Sequence, residues 1–144
     1  MSININFSEI NIGMFLPELN KHLIQEDINC YARASRDYNP IHIDEEFAKK
    51  TPAGGTIAHG MLILAYISQV MTDSFGLFWL TSGTLNVRFK AAARPGDIIK
   101  VQGKIAKIIN DNEQRIIACD VLCSNQKGEV VITGETTVKI KVEL

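Results

Sequence analysis

The chain has 144 residues, of which 46% are hydrophobic and 22% charged, values that are ordinary for a globular protein. This length predicts one domain, residues 1–144, whose core needs no metal or disulfide bond to stabilise it. The formal net charge of -1 at pH 7 argues against a dedicated nucleic-acid-binding protein, which would carry a basic surface.

Several features predict a cytoplasmic protein that does not enter the membrane. The N-terminus lacks the basic start and apolar stretch of a signal peptide. The most apolar run, residues 61–67, is far shorter than the ~20 residues that cross a bilayer. Cys30, Cys119 and Cys123 form neither a CxxC pair nor a zinc-ligand spacing, which favours free thiols in a reducing compartment.

The first half of the chain is predicted to hold an extended segment and then helices. Residues 14–24 look extended, and from Gln25 onward apolar residues recur at the 3.6-residue spacing of a helix. The pair Asn39-Pro40 should end this helix, because a proline excludes the residue before it from the α region. Residues 44–50 are expected to add one or two further helical turns.

The second half changes from a long apolar helix to strands. Residues 58–75 are apolar nearly all round, which predicts a helix that is buried on most of its faces. After Gly76, β-branched residues and turn sequences predict four long strands: 84–92, 97–109, 114–124 and 129–142. We expect a sequential antiparallel meander with the N-terminal segment as fifth strand, an α+β domain whose sheet wraps the helix. Dimerisation would cover the open edges of that sheet.

The sequence "DYNPIH" places Asp37, Asn39, Pro40 and His42 close together after the first predicted helix. Pro40 stiffens this segment, so that two side chains could hold one water molecule between them. A carboxylate accepts a proton from water and an imidazole accepts or donates one near neutral pH, so Asp37 and His42 are a candidate acid–base pair. The alternative is structural, because Asp and Asn also cap helices and form turns.

A second polar cluster, "AHGM", stands at the start of the long apolar helix. The first backbone N–H groups of a helix have no partner within the helix, and the glycine at Gly60 lets a ligand atom approach them closely. Such an N–H could stabilise the negative charge that develops on a carbonyl oxygen. His59 could contact substrate, or could be a hydrogen-bonding residue of the structure.

The two motifs, in this order and ahead of a strand-rich half, resemble the signature of the (R)-specific enoyl-CoA hydratases and MaoC-like dehydratases of the hot-dog fold. The resemblance covers most of the chain, from the helix before Asp37 to the "RPGD" turn. It implies a long central helix wrapped by a curved antiparallel sheet of about five strands. It also implies assembly as a homodimer or a larger homo-oligomer.

The resemblance further implies roles for individual residues. Asp37 and His42 would bind the reacting water and act as the acid–base pair, and the backbone N–H of Gly60 would hold the thioester oxygen. Asn39 would shape the catalytic loop. Ser68 would lie near the catalytic pair, on the long helix.

Arg88 and Lys90 are two residues apart, so their side chains lie on the same face of a predicted strand. The two side chains could contact the phosphates of coenzyme A or of a carrier-protein arm, or could form a solvated strand face.

Asp37, His42, Asp44 and His59 offer oxygen and nitrogen ligands to a metal. The sequence has no H-x-x-x-H or comparable helical pair, so we predict no metal site.

The candidate acid–base pair and the resemblance together predict a hydro-lyase. By resemblance, it would be an (R)-specific enoyl-CoA hydratase or 3-hydroxyacyl-thioester dehydratase that hydrates trans-2-enoyl thioesters reversibly in the syn sense. No cofactor is expected beyond the coenzyme A or carrier-protein pantetheine of the substrate, and acyl carrier protein is a possible partner. Two alternatives stay open: a hot-dog thioesterase, and a non-catalytic subunit that binds acyl thioesters. Acyl chain length would depend on residues closing the far end of the tunnel, such as Leu64, Ile67 and Met71.

Overall fold

The computed structural model describes residues 5–141, which form five strands and five α-helices after a short 3-10 helix at Phe7–Glu9. The strands are β1 (Leu19–His22), β2 (Thr84–Phe89), β3 (Ile98–Asp111), β4 (Gln114–Ser124) and β5 (Val130–Lys141). The helices are α1 (Gln25–Ser35), α2 (Pro40–Ile43), α3 (Glu45–Lys49), α4 (Gly60–Phe75) and α5 (Leu77–Ser82).

All five strands join in one antiparallel sheet with the order β1-β3-β4-β5-β2. The predicted meander is confirmed for β3, β4 and β5, and the N-terminal segment is the fifth strand, as predicted. The prediction was wrong for β2, which pairs with β5 at the far edge instead of with β3. Strand pairing of this kind is a long-range choice, and the strand's own residues do not encode its neighbour.

Helix α4 packs across β3, β4 and β5 and supplies the centre of the core. Its buried residues recur at helical spacing on one face: Ile63, Tyr66, Ile67, Val70, Met71, Ser74 and Phe75. Most residues of α4 are buried or half-buried, as predicted, and Met61, Ala65 and Gln69 form an exposed stripe. No helix within residues 5–141 is long and apolar enough to cross a membrane.

Two helix boundaries and one whole helix differ from the sequence predictions. Helix α1 ends at Ser35 and not at Asn39-Pro40, because Arg36 takes the left-handed conformation with φ 60° and turns the chain. The proline that was expected to end a helix instead begins one, at the first position of α2. Helix α5 was not predicted, since a short apolar run cannot be told from a strand by its pattern alone.

Candidate active site

The segment that follows α1, together with the single turn of α2, forms a tight elbow (residues 36–43) that presents Asp37 and His42. The side-chain Oδ1 of Asn39 accepts a hydrogen bond of 3.1 Å from the backbone N–H of Ile41 and so caps α2. Asp37 Oδ1 in turn accepts from the backbone N–H of Asn39 at 3.2 Å. With Pro40 at the start of the single turn, these bonds fix how the two candidate catalytic side chains leave the backbone.

Asp37 and His42 face each other across a gap that suits one water molecule. Asp37 Oδ2 lies 3.9 Å from His42 Nε2, and the two side chains are 53% and 12% exposed. His42 Nδ1 lies 2.8 Å from the backbone carbonyl of Ile57; a carbonyl only accepts, so Nδ1 carries a proton and donates it. The nitrogen that faces the carboxylate is therefore Nε2, and a water about 2.8 Å from both atoms can bridge them.

His59 lies against both of these residues. Its Nε2 donates to the backbone carbonyl of Asp37 at 3.0 Å, and its ring stacks on that of His42 with centroids 3.8 Å apart and planes 26° apart. Tyr31 of α1 contacts the His59 ring at a centroid distance of 4.8 Å. The histidine that the sequence analysis associated with the helix start thus belongs to the same cluster as the candidate acid–base pair.

Gly60 is the first residue of α4, and its backbone N–H has no acceptor among residues 5–141. The ring of Phe89, at the end of β2, lies over this glycine: a Cβ at Gly60 would come within 2.9 Å of Phe89 Cε1. The N–H is therefore free to bind a ligand, on a backbone that no larger residue could occupy without displacing the aromatic ring.

Sequence analysis missed a set of residues that fix the elbow from outside. Gln25 Nε2 donates to the backbone carbonyl of His42 at 2.8 Å, and Gln25 Oε1 accepts from Thr56 Oγ1 at 2.7 Å. The Glu45 carboxylate accepts from the backbone N–H of Thr56 at 3.0 Å, and this bond lowers the pKa of Glu45 below its ordinary value. No sequence signal marks Gln25 or Thr56, because their bonds span 11 to 31 residues of chain.

Two predicted site residues lie apart from this cluster. Ser68 is two turns further along α4, roughly 12 Å from Gly60 at a helical rise of about 1.5 Å per residue, and its hydroxyl accepts from Trp79 Nε1 at 3.1 Å. Arg88 precedes Phe89 on β2, and because neighbouring residues of a strand point to opposite faces, it points away from the start of α4. Their proposed contacts with substrate remain predictions.

The candidate metal ligands are only partly brought together. Ligand atoms of Asp37, His42 and His59 lie within 4.8 Å of one another. Asp44 instead caps α3, with its Oδ1 accepting from the backbone N–H of Phe47 at 3.0 Å. Because one nitrogen of each histidine already donates to a backbone carbonyl, each ring has one nitrogen left for another role.

Comparison with known proteins places this geometry in a family. The model of the MaoC like domain matches residues 11–123. The 3-hydroxybutyryl-CoA dehydratase of Methylorubrum extorquens is 36% identical over 137 residues, which cover 93% of this chain and 83% of that protein. The (R)-specific enoyl-CoA hydratase of Rhodospirillum rubrum is 31% identical over 137 residues, covering 93% of this chain and 90% of that protein.

The fold agrees with this assignment. The structure of an unliganded (R)-hydratase from Pseudomonas aeruginosa superposes with a TM-score of 0.81 at 27% identity, covering 98% of this chain and 92% of that one. The shared architecture, one long helix packed on a five-stranded antiparallel sheet, is the hot-dog fold that the sequence motifs implied. The chain is a member of the MaoC-like dehydratase family.

Proposed function

We propose that this protein adds water reversibly to trans-2-enoyl thioesters and forms (R)-3-hydroxyacyl thioesters. The observation that carries this proposal is the 3.9 Å separation of Asp37 Oδ2 and His42 Nε2, together with a backbone N–H at Gly60 that has no acceptor in the described part of the chain. Similarity to proteins named 3-hydroxybutyryl-CoA dehydratase and (R)-specific enoyl-CoA hydratase supports it. Hydration moves only the elements of water, so an acid, a base and one donor at the carbonyl are enough.

The two side chains divide the proton transfers between them. Asp37 takes a proton from the water held in the gap while the water oxygen bonds to Cβ, and the electron pair of the double bond moves toward the thioester carbonyl. His42, protonated at Nε2, donates that proton to Cα. A proton returned through water across the same 3.9 Å gap restores both groups. Because both act from one elbow, oxygen and hydrogen reach the same face of the substrate, which is syn addition.

The backbone N–H of Gly60 stabilises the charge that develops on the thioester oxygen. It stands at the N-terminus of a 16-residue helix, where the dipole also favours negative charge. Removing a donor of this kind typically lowers kcat by roughly 10²–10³-fold. We expect the thioester carbonyl to bind beside Gly60 with Cβ toward the gap between Asp37 and His42.

A direct assay separates this function from its rivals. Mixing the protein with a short trans-2-enoyl-CoA should abolish the enone absorbance without releasing free thiol, and the product should have the (R) configuration. Release of thiol would instead indicate a thioesterase. Ligand-dependent thermal stabilisation without turnover would indicate a non-catalytic acyl-thioester-binding subunit.

We also propose that two copies of the chain assemble. β2 is an edge strand whose apolar face is open, with Leu85 37% and Phe89 53% exposed. Met61, on the exposed stripe of α4, is a further exposed apolar residue, 56% accessible. Unpaired strand edges of this kind are commonly covered by another chain. Light scattering should give the mass of a homodimer or larger homo-oligomer, and Leu85→Lys should reduce it toward that of one chain.

No metal or redox cofactor is required by this mechanism, and we expect activity to survive dialysis against EDTA. Activity lost on dialysis and restored by one divalent ion would contradict this expectation and point to Asp37, His42 and His59 as its ligands.

Coenzyme A and acyl carrier protein remain the two candidate carriers, and rates on matched enoyl substrates of both would separate them. A cytoplasmic location remains a prediction, to be tested by cell fractionation.

A further inference from the structure

We propose that His59 is a positioning residue that holds both members of the acid–base pair, fixing Asp37 through its backbone and His42 through its ring. This inference rests on the proposed hydration, because it assigns His59 a role in that reaction. Of the two roles that the sequence left open for His59, it develops the hydrogen-bonding one and not substrate contact. His59 is only 3% exposed, so its ring is buried behind the pair and does not present a surface to substrate.

The bond from His59 anchors the elbow to the rest of the fold. The other hydrogen bonds of Asp37 join it to Ser35 and Asn39, each two residues away, so they move with the elbow. The bond from His59 Nε2 to the Asp37 carbonyl spans 22 residues and ties the elbow to the start of α4. Within residues 5–141 it is the one hydrogen bond that fixes Asp37 relative to Gly60.

The ring of His59 sets the orientation of His42. The bond from His42 Nδ1 to the Ile57 carbonyl holds one edge of the His42 ring. The stack on His59, at 3.8 Å between centroids, fixes the plane of the ring and so directs Nε2 at the Asp37 carboxylate. Tyr31, from α1, contacts the His59 ring in turn.

The one side-chain hydrogen bond of His59 among the described residues indicates which ring nitrogen carries the proton. Nε2 faces a carbonyl, so it carries the proton, and Nδ1 is buried without a hydrogen-bond partner among the described residues. The groups that face the ring are Asp37, His42 and Tyr31. With Nδ1 bare and Nε2 occupied, His59 has no proton to exchange with substrate, which separates its role from that of His42.

Two variants separate the donor of His59 from its ring. His59→Gln keeps an N–H donor at about the reach of Nε2 but loses the ring, and His59→Phe keeps a ring but loses the donor. We expect both to lower kcat, His59→Phe by about 100-fold, the cost of a misplacement of about 1 Å, with KM nearly unchanged. His59→Gln should lie between this variant and wild type. His22→Gln, at an exposed position on β1, is the control and should keep the wild-type kcat.

An unchanged kcat in folded His59→Phe would overturn the proposal, as would a raised KM at constant kcat, which indicates substrate contact. A second measurement does not depend on activity or on the folding of variants. In ¹⁵N spectra of the histidine rings of the wild-type protein, His59 should show a solvent-protected Nε2–H and a bare Nδ1. A proton on Nδ1 of His59 would overturn the proposal. If wild type hydrates no enoyl thioester but shows this pattern, the proposed function fails while the structural role of His59 stands.

Discussion

The two ends of α4 face different environments. At its N-terminus, the N–H of Gly60 has no acceptor among residues 5–141, and the nearby atoms of Asp37 and His42 stand 3.9 Å apart, too far for a direct hydrogen bond. Toward its C-terminus, Met71 and Phe75 are fully buried in the core. The packed end holds the helix in place, so the other end can keep polar groups unpaired, ready for a substrate.

The largest effect is expected at the N-terminus of α4, where Asp37, His42 and the N–H of Gly60 lie. Asp37→Asn and His42→Gln should each lower kcat by roughly 10²–10⁴-fold, because each removes one proton transfer. Asp73→Asn, on the exposed side of the same helix, should leave kcat unchanged. The measurement is the steady-state rate of hydration of a 2-enoyl-CoA by each of the three variants, with circular dichroism to confirm folding. Full activity in folded Asp37→Asn would rule out the mechanism.

Gly60→Ala adds one methyl group at the N-terminus of α4 and so tests whether the backbone N–H there takes part in the reaction. The new Cβ would lie 2.9 Å from the Phe89 ring, so either the ring or the helix start must move. We expect kcat to fall by about 10²-fold, because the N–H no longer meets the thioester oxygen correctly. Adding Phe89→Ala removes the collision and should restore part of the lost rate. A wild-type rate in Gly60→Ala alone would show that this N–H does not act.

Ser68→Ala tests whether the middle of α4 contributes to stability, like the buried C-terminal part of the helix, or to catalysis. Its hydroxyl accepts a hydrogen bond from the indole of Trp79, which is buried. Leaving that donor unpaired should lower the free energy of unfolding by about 1–3 kcal/mol, while kcat changes less than about tenfold. Urea denaturation and the hydration assay measure the two quantities. A large loss of kcat at unchanged stability would instead place Ser68 in the catalytic site.

The smallest effect concerns pH and the loop that leads to Gly60. The bond from the Thr56 N–H lowers the pKa of Glu45 below its ordinary value of 4.5, so this carboxylate stabilises the fold above pH 4.5 and the contribution is lost as the pH falls through the lowered pKa. Glu45→Gln should therefore melt at a slightly lower temperature than wild type at pH 7. The difference should vanish in acid. Equal melting temperatures of Glu45→Gln and wild type at pH 7 would contradict this account of the carboxylate.

Local patterns in the sequence predicted much of this structure. Alternating β-branched residues predicted the strands, since a side chain that alternates between core and solvent gives a period of two, as in the buried Ile99, Val101 and Ile105 of β3. The spacing from Asp37 to His42 predicted a rigid acid–base pair, because proline and an Asn cap act within a few residues.

The remaining features depend on contacts between distant parts of the chain. The bond from Gln25 to the His42 carbonyl and the stack of His59 on His42 join residues 17 positions apart, and neither has a signature in the sequence. Ser68 was expected beside the pair from resemblance alone, and the structure joins it to Trp79 of a helix that the pattern did not reveal. Tertiary packing decides such contacts, and local propensity does not.

A crystal structure of the Asp37→Asn variant with a bound trans-2-enoyl-CoA would show whether the substrate meets this elbow. We expect the thioester oxygen within about 3 Å of the Gly60 N atom. We also expect one water that is shared by the substituted amide side chain and His42 and that faces Cβ of the acyl group. A carbonyl bound elsewhere, or a Cβ directed away from this elbow, would contradict the proposed mechanism.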